Sequence, residues 1–203
     1  DYERLIMVDL ICHGVPSPKV WRTYLKETLH DDTLLDFNFR DKRDGWIGFQ
    51  CVTTTTTTRR EKKYSNVFMY GFLKNLFLRR CCYQCNFKTI KRRADITLAD
   101  CWGVQLFYPQ MNDNRGTNLL LVHTNQGMKI MSALRNCSIE QVKVEDALTY
   151  NKRATQSVLL KKHRNLFFTL FSVMGVSISI KATSRLSTFY GKIKRMMRKL
   201  LCQ

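Results

Sequence analysis

The feature that most constrains the fold is an apolar run at residues 5–11 (LIMVDLI), which lies just before the signature of a helix start. The run has the length of a strand, and an almost unbroken apolar stretch is typical of a strand covered on both faces. Ser17 has the character of a helix N-cap and Pro18 that of a first helical residue, so we expect a helix that ends near Leu29. The sequence therefore predicts a strand, a turn that carries Cys12, and a helix, in that order.

The rest of the chain mixes the periodicities of strands and helices. Strand character occurs at residues 34–40, 46–58, 94–99, 118–123 and 139–144. Helical spacing of apolar side chains occurs at residues 66–78 and 126–134. The run of six threonines at 53–58 is interpreted as part of a strand with hydroxyl groups on both faces. We therefore predict an α/β fold of the mixed α+β kind, in which helices flank a mixed sheet.

The character of the chain changes in its last quarter. There the pattern becomes helical and basic, with a predicted break at Gly175 and Ser177. We therefore expect one domain at residues 1–152 and a basic helical tail at residues 153–203. The longest uncharged stretch, residues 165–180, is shorter than the ~20 residues that a membrane-spanning helix needs. Peripheral contact of the tail with a membrane surface stays open, but we expect the tail to pack on the domain instead.

The chain is strongly basic and rich in apolar residues. Lys and Arg total 34 against 16 Asp and Glu, which gives a net charge of +18, and 44% of the residues are hydrophobic. The hydrophobic content supports a folded core and excludes overall disorder. The positive charge can attract nucleic acid, anionic lipid, an acidic protein or a polyanionic cofactor, and its sign alone does not choose among them. One basic cluster flanks a cysteine pair and consists of Arg79, Arg80, Lys88, Lys91, Arg92 and Arg93.

We interpret the eight cysteines as reduced thiols of a cytoplasmic protein, because a chain with this much core does not need a disulfide framework. The sharpest local signal is the sequence CYQC at residues 82–85, since two thiolates at this spacing bind one metal ion or two irons of one cluster. Such a pair is half a site. A zinc ribbon would supply a second close pair, whereas Cys12, Cys51 and Cys101 are isolated. Taken alone, the pair also fits ordinary buried thiols.

Four motifs occur in an order and spacing that resemble a known family. They are VDLICHGVPSPKVWRTYL from residue 8, FRDKRDGW from residue 39, CYQC from residue 82 with the following FK and ADITLADCWG, and GTNLLLVHTNQG from residue 116. Together they resemble the carboxy-terminal domain of the coenzyme F420 hydrogenase/dehydrogenase beta-subunit family, from about Leu5 to Gly127 and more weakly to Arg164. Because the sequence begins at Asp1, close to the first strand, we expect it to be a fragment whose amino-terminal domain is missing.

The resemblance implies an iron–sulfur flavoprotein with a 4Fe-4S cluster and FAD, which exchanges electrons between iron–sulfur centres and a hydride carrier such as the deazaflavin coenzyme. It implies cluster ligands at Cys12, Cys82 and Cys85, and a fourth ligand in a Gly-Thr-Pro-Cys segment upstream of this chain. Cys81 and Cys101 depart from the family pattern, and we interpret both as harmless core residues rather than substitute ligands. The nearby cations would offset the negative charge of a thiolate-ligated cluster.

Flavin contacts are predicted at two places. Asp100, Trp102 and Gly103 follow a buried strand, where ligands settle in α/β sheets, and the glycine permits a close approach of the backbone. Arg40 and Lys42 are expected to face the flavin diphosphate. The alternative for this basic loop is a solvated hairpin tip, and the alternative for Trp102 is a core anchor. The sequence contains neither GxGxxG nor GxxxxGK[ST], and the catalytic residues stay unassigned.

The predicted function is electron transfer between the cluster and FAD in a cytoplasmic oxidoreductase, with a ferredoxin or a hydrogenase-type protein as redox partner and no nucleic acid. The resemblance also points to relatives in cell-surface polysaccharide biosynthesis, whose hydride acceptor need not be the deazaflavin. Two alternatives stay open. One is a zinc-stabilised basic module that binds nucleic acid, and the other is a non-catalytic peripheral protein of polysaccharide synthesis whose basic tail binds anionic membrane.

Overall fold

The computed structural model describes the backbone of residues 5–201 and the side chains of residues 5–185. Its helices and strands, in chain order, are β1 (Val8–Leu10), α1 (Pro18–Leu29), β2 (Asp36–Asp41), β3 (Gln50–Thr54), β4 (Thr58–Lys62), α2 (Val67–Leu73), β5 (Ile96–Asp100), α3 (Val104–Phe107), β6 (Asn118–Val122), α4 (Asn125–Ala133), α5 (Val144–Tyr150) and α6 (His163–Leu201). Short 3-10 helices lie at Arg80–Gln84, Pro109–Met111 and Lys152–Ala154. The predicted mixed α+β class is confirmed.

The chain folds into two compact units, each built from separate stretches of sequence. Unit 1 consists of Asp1–Gly14, Gly45–Ile47 and Cys81–Val158. Unit 2 consists of Val15–Asp44, Gly48–Arg80 and Leu159–Gln203. The division between a domain at residues 1–152 and a tail at residues 153–203 stays a prediction.

Unit 1 contains a mixed three-stranded sheet in the order β1-β5-β6. β1 runs parallel to β5, with Val8 opposite Ile96 and Leu10 opposite Leu98, whereas β5 and β6 are antiparallel. The prediction that the first strand is covered on both faces is wrong, because Val8 is 52% and Leu10 is 65% exposed. β1 is a short outer strand, so its side chains lie at the border of the sheet rather than at its centre.

A polar row crosses the sheet of unit 1. The Thr97 hydroxyl donates to Oδ1 of Asp9, and Nε2 of His123 lies 2.8 Å from the Thr97 oxygen. Because the single hydroxyl hydrogen of Thr97 goes to the carboxylate, Nε2 of His123 must carry the hydrogen that it shares with Thr97. Arg92 adds an ion pair of 3.0 Å to Asp9. The row therefore ties β1 and β5 to the residue that follows β6.

Unit 2 contains an antiparallel sheet in the order β2-β3-β4. The prediction of a single strand through the threonine run is wrong, because β3 ends at Thr54 and β4 begins at Thr58. Between them the N–H of Thr55 donates to the carbonyl of Thr57 (2.8 Å), and the Thr55 hydroxyl lies 3.4 Å from a carboxylate oxygen of Asp32. The N–H of Thr57 also donates to the Thr55 hydroxyl (3.3 Å), a local bond of the kind by which threonine stabilises turns, so the run makes a hairpin.

The helical core of unit 2 is made by α1, α2, α6 and the residues that follow α2. Its fully buried side chains include Val20, Phe68, Phe77, Leu78, Phe167, Val176 and Ile180. The helix predicted at residues 66–78 ends earlier, at Leu73, and Asn75 has a left-handed φ of 60°. The apolar residues that follow are nevertheless buried, so the pattern marked the core correctly and the local conformation incorrectly.

Other predicted elements have mixed outcomes. α1 and α4 lie where helices were predicted, and β2, β5 and β6 lie where strands were predicted. The strand predicted at residues 139–144 is wrong, because residues 138–143 are irregular and almost all exposed, and α5 begins at Val144. A strand needs a neighbour to accept its backbone hydrogen bonds, and this segment has no ladder partner among the described strands.

α6 breaks at Gly175, as predicted. The backbone there has φ 75° and ψ −173°, and the two carboxylate oxygens of Glu27 accept the N–H groups of Val176 and Ser177, the latter at 3.1 Å. The carboxylate thus caps the second half of the helix, whose first N–H groups have no helical partner. A β-carbon at Gly175 would collide with the Glu27 carboxylate, so both the conformation and the available space require glycine.

The segment His163–Arg185 has the length and the mean hydropathy, 1.6, of a membrane-spanning helix. The break at Gly175 divides this segment, and Phe167, Val176 and Ile180 are fully buried in the core of unit 2. One face of the segment therefore packs in the core of unit 2, whereas only 33% of its apolar 18-residue window is buried and Val173 is 85% exposed. The backbone of the predicted tail is irregular at residues 155–162 and helical from His163 to Leu201, and its basic side chains after residue 185 lie outside the described ones.

We expect Glu27→Ala to destabilise unit 2 by about 1–3 kcal/mol, because two backbone N–H groups lose their acceptors. Urea unfolding followed by circular dichroism measures this loss as a lower midpoint. Lys26→Ala is the matched control, since Lys26 is exposed on the same turn of α1, and its unfolding free energy should stay within about 0.5 kcal/mol of the wild type. Equal midpoints for the two variants would contradict the capping role.

Candidate functional site

The three cysteines predicted as cluster ligands all belong to unit 1. Cys12 is exposed and follows β1. Cys82 is buried inside the 3-10 helix Arg80–Gln84, and Cys85 is half-buried directly after that helix. Hence two segments that are far apart in the sequence, and that were predicted to share a cluster, lie in the same compact unit.

Cys12 and one group of predicted flavin residues lie on the same side of the unit 1 sheet. β1 and β5 are parallel, so their carboxy-terminal ends lie at the same edge of the sheet. The N–H of Ile11 donates to the carbonyl of Leu98 at 2.9 Å. Cys12 follows that hydrogen bond directly, and β5 ends at Asp100. Residues 100–103 therefore lie at the carboxy-terminal end of β5, at the same edge of the sheet where Cys12 follows β1.

Lys88 connects the turn of Cys12 to the segment that carries Cys85. Its Nζ donates to the backbone carbonyl of Cys12 (2.5 Å) and to the backbone carbonyl of Arg153 (2.9 Å). The backbone N–H of Cys85 donates to Oγ of Ser157 at 2.9 Å. The turn after β1, the residues after Cys85 and the segment around Arg153 are thus held together by hydrogen bonds.

The Lys88 ammonium lies within electrostatic range of two of the predicted ligands. Burial lowers the pKa of Lys88, and the thiols of Cys85 and Cys12 act in the opposite direction because their ionised forms favour the positive charge. Arg153 and Arg92 add to the lowering of the pKa by like-charge repulsion. One half-buried cation therefore interacts with the thiols of two cysteines that the sequence places far apart.

Arg92 provides a second buried cation in the same region. Its side chain is 7% exposed, and one terminal nitrogen pairs with Asp9 at 3.0 Å. Its Nε is buried and has no hydrogen-bond partner among the described residues. An unmet buried N–H costs about 1–3 kcal/mol, so an anionic acceptor close to this nitrogen would be stabilised.

The chemistry of this donor set fits an iron–sulfur cluster, because thiols and buried cations share one region and a thiolate-ligated cluster is anionic. Among the described residues, no group of three or more His, Cys, Asp or Glu side chains is arranged around a position for one metal ion. The ligand assignment of Cys12, Cys82 and Cys85 therefore stays a prediction.

The remaining cysteines fall into two environments. Burial raises the pKa of Cys51 to about 12, with a smaller contribution from Glu61, and burial also raises the pKa of Cys101. Cys101 lies in a core cluster of unit 1, which agrees with its interpretation as a core residue. Cys81 is exposed, so its interpretation as a core residue is wrong. It lies at the start of a short 3-10 helix, where successive side chains diverge, so only its neighbour Cys82 is buried.

The predicted flavin residues are divided between the units. Asp100, Trp102 and Gly103 belong to unit 1, and Arg40 and Lys42 belong to unit 2. Trp102 is 44% exposed, which excludes the role of core anchor, and its ring lies 5.1 Å from that of Trp46.

Two of these residues have structural surroundings that sequence reasoning did not anticipate. Gly103 has φ 81°, and a β-carbon there would collide with the ring of Tyr150, so packing by itself explains the glycine. The guanidinium of Arg40 lies over the Phe49 ring, 5.2 Å from its centroid. The roles of these residues toward flavin stay predictions.

Unit 1 also contains an open cavity of about 590 Å³ that sequence reasoning missed. Its walls come from β6, α3 and the irregular segment before α5, and they include Cys101, Phe107, Leu119, Met131 and Val142. None of the five predicted flavin residues lines it. The cavity depends on an irregular course of residues 138–142, and the apolar pattern of that segment had predicted a strand instead.

A family model for the carboxy terminus of the beta subunit of coenzyme F420 hydrogenase/dehydrogenase matches residues 1–147. No curated protein and no solved structure matches the chain. The matched stretch includes both predicted ligand segments, β5 and β6, and it ends inside α5.

In the reduced, metal-free chain we expect iodoacetamide to alkylate Cys12 and Cys81 early and Cys51 late. Exposure gives the reagent access to the first two, whereas a pKa of about 12 leaves only ~1 in 10,000 Cys51 thiols ionised at pH 8. Peptide mapping by mass spectrometry after timed labelling measures each site. Cys137 is the access control, because it is exposed and outside the candidate site. Labelling of Cys51 as fast as Cys137 would contradict the burial.

Proposed function

The chain belongs to the family of the coenzyme F420 hydrogenase/dehydrogenase beta subunit, as its carboxy-terminal part, and on that premise we propose that it is an iron–sulfur flavoprotein that passes electrons between a 4Fe-4S cluster and FAD. The family description names part of a hydrogenase or dehydrogenase, so oxidoreductase chemistry is the function associated with the family. The observation that carries the proposal is the parallel pairing of β1 with β5, which puts Cys12 and residues 100–103 on one side of a sheet.

In this proposal Cys12, Cys82 and Cys85 hold the cluster as thiolates, with a fourth ligand from a part of the protein that precedes Asp1. Lys88 and Arg92 supply the positive charge that an anionic cluster requires. When bound, the two cofactors would supply single-electron transfer and two-electron hydride transfer.

We assign flavin contacts to the residues at the end of β5. Trp102 offers a partly exposed aromatic face next to Trp46, which is the kind of surface on which a planar ring system stacks. Asp100 and Gly103 flank that ring in the sequence, and Arg40 and Lys42 are proposed to neutralise the diphosphate. These side chains would bind and orient the flavin, while the hydride carrier is the deazaflavin coenzyme or another small carrier.

The proposed redox partner is a ferredoxin or a hydrogenase-type protein in the cytoplasm. The family description names a beta subunit, and a chain of net charge +18 attracts acidic protein partners. Participation in cell-surface polysaccharide synthesis is proposed from the sequence resemblance.

Anaerobic purification of the natural polypeptide, including any residues that precede Asp1, tests the proposed function. We expect about four irons, about four acid-labile sulfides and one FAD per chain. Cys82→Ser should lose most of the iron, whereas Cys137→Ser, which removes an exposed thiol of the same unit, should keep it. Zinc without iron or sulfide would favour a zinc-stabilised module instead, and a full cluster in Cys82→Ser would refute that ligand.

A further inference from the structure

We propose that Lys88 is a positioning residue for the cluster. It fixes the turns of Cys12 and Cys85 against a strap at residues 152–157, and its positive charge raises the reduction potential of the cluster. This inference rests on the proposed function of the same site. It goes beyond that function because it assigns two roles to the Lys88 side chain: holding the two ligand turns in place and raising the reduction potential of the cluster.

The first support is the set of hydrogen bonds that Lys88 makes. Its ammonium has three N–H groups, and two of them go to the carbonyls of Cys12 and Arg153. The third N–H can therefore point at an ionised sulfur. A lysine fixed by two backbone carbonyls loses the freedom that normally disperses its charge into solvent, so its field at the neighbouring thiols is stationary.

The second support is the strap itself. Ser157 accepts the N–H of Cys85, and Arg153 closes the strap on itself by donating to the carbonyls of Gln156 (3.2 Å) and Ser157 (2.5 Å). The strap therefore contacts the turn of Cys85 directly and the turn of Cys12 through Lys88. It lies beyond residues 1–147, which the family model matches.

The third support is electrostatic. Addition of an electron makes a thiolate-ligated cluster more negative, so a fixed cation beside it stabilises the reduced form and raises the potential. Lys88 is half-buried, where the attraction is screened less than at the surface, and Arg92 adds a buried guanidinium with an unpaired N–H. Lys91 is exposed, so the same charge at that position is screened by water.

The test uses the natural polypeptide purified anaerobically, with the variants Lys88→Met, Lys88→Arg and Lys91→Met. Iron content is measured first, and the midpoint potential is then measured by a redox titration followed by electron paramagnetic resonance. We expect a lower potential in Lys88→Met, a potential close to wild type in Lys88→Arg, and no change in Lys91→Met. The lysine and methionine side chains are of similar length, so the first variant removes the charge with little change in volume.

The remaining outcomes also decide the inference. A Lys88→Met variant that unfolds at the wild-type temperature but holds several-fold less iron, while Lys88→Arg holds the full amount, supports the positioning role. An unchanged potential in Lys88→Met, or an equal loss of iron in Lys88→Met and Lys88→Arg, overturns it while the proposed function stands. A wild-type polypeptide without iron and sulfide overturns the proposed function and this inference together.

Discussion

The parallel pairing of β1 with β5 is the constraint on which the candidate site depends. It fixes the direction in which the chain leaves each strand, so that Cys12 and residues 100–103 emerge on one side of the sheet. The polar row of Asp9, Thr97 and His123 crosses the same strands and holds their register from the inside. Since a shift of one residue would turn every strand side chain to the opposite face, this row also fixes the position of the turn after β1.

The sequence predicted those parts of the fold that depend on local patterns. The start of α1 at Pro18, the helix α4 and the break at Gly175 follow from residue types whose effect is local. The hairpin inside the threonine run could not be predicted, because identical residues carry no periodicity that marks a turn. The exposure of β1 could not be predicted either, because an apolar run indicates a strand but not whether that strand lies at the edge or the centre of a sheet.

For the candidate site, too, the sequence predicts features set by local spacing and misses contacts that depend on the tertiary fold. The spacing of Cys82 and Cys85 is visible in the sequence, and in the structure Cys82 lies in the 3-10 helix Arg80–Gln84 while Cys85 follows it. The contact of Lys88 with the turn of Cys12 arises only when β1 is placed beside β5, so the FK motif that contains Lys88 gives no sign of this contact. Lys88 differs from Lys91 in being half-buried and in donating to two backbone carbonyls. Burial and fixed hydrogen bonds decide whether a charge acts on its neighbours or is screened by water.

The cysteines show how the environment assigns roles that composition alone cannot. Cys51 and Cys101 are surrounded by apolar groups, where burial raises the thiol pKa and leaves the sulfur unreactive. Cys12 and Cys85 instead interact electrostatically with the ammonium of Lys88. Burial and the position of Lys88 thus distinguish Cys51 and Cys101 from Cys12 and Cys85, whereas Cys82 is itself buried, so its ligand role stays a prediction from the spacing of the CYQC motif.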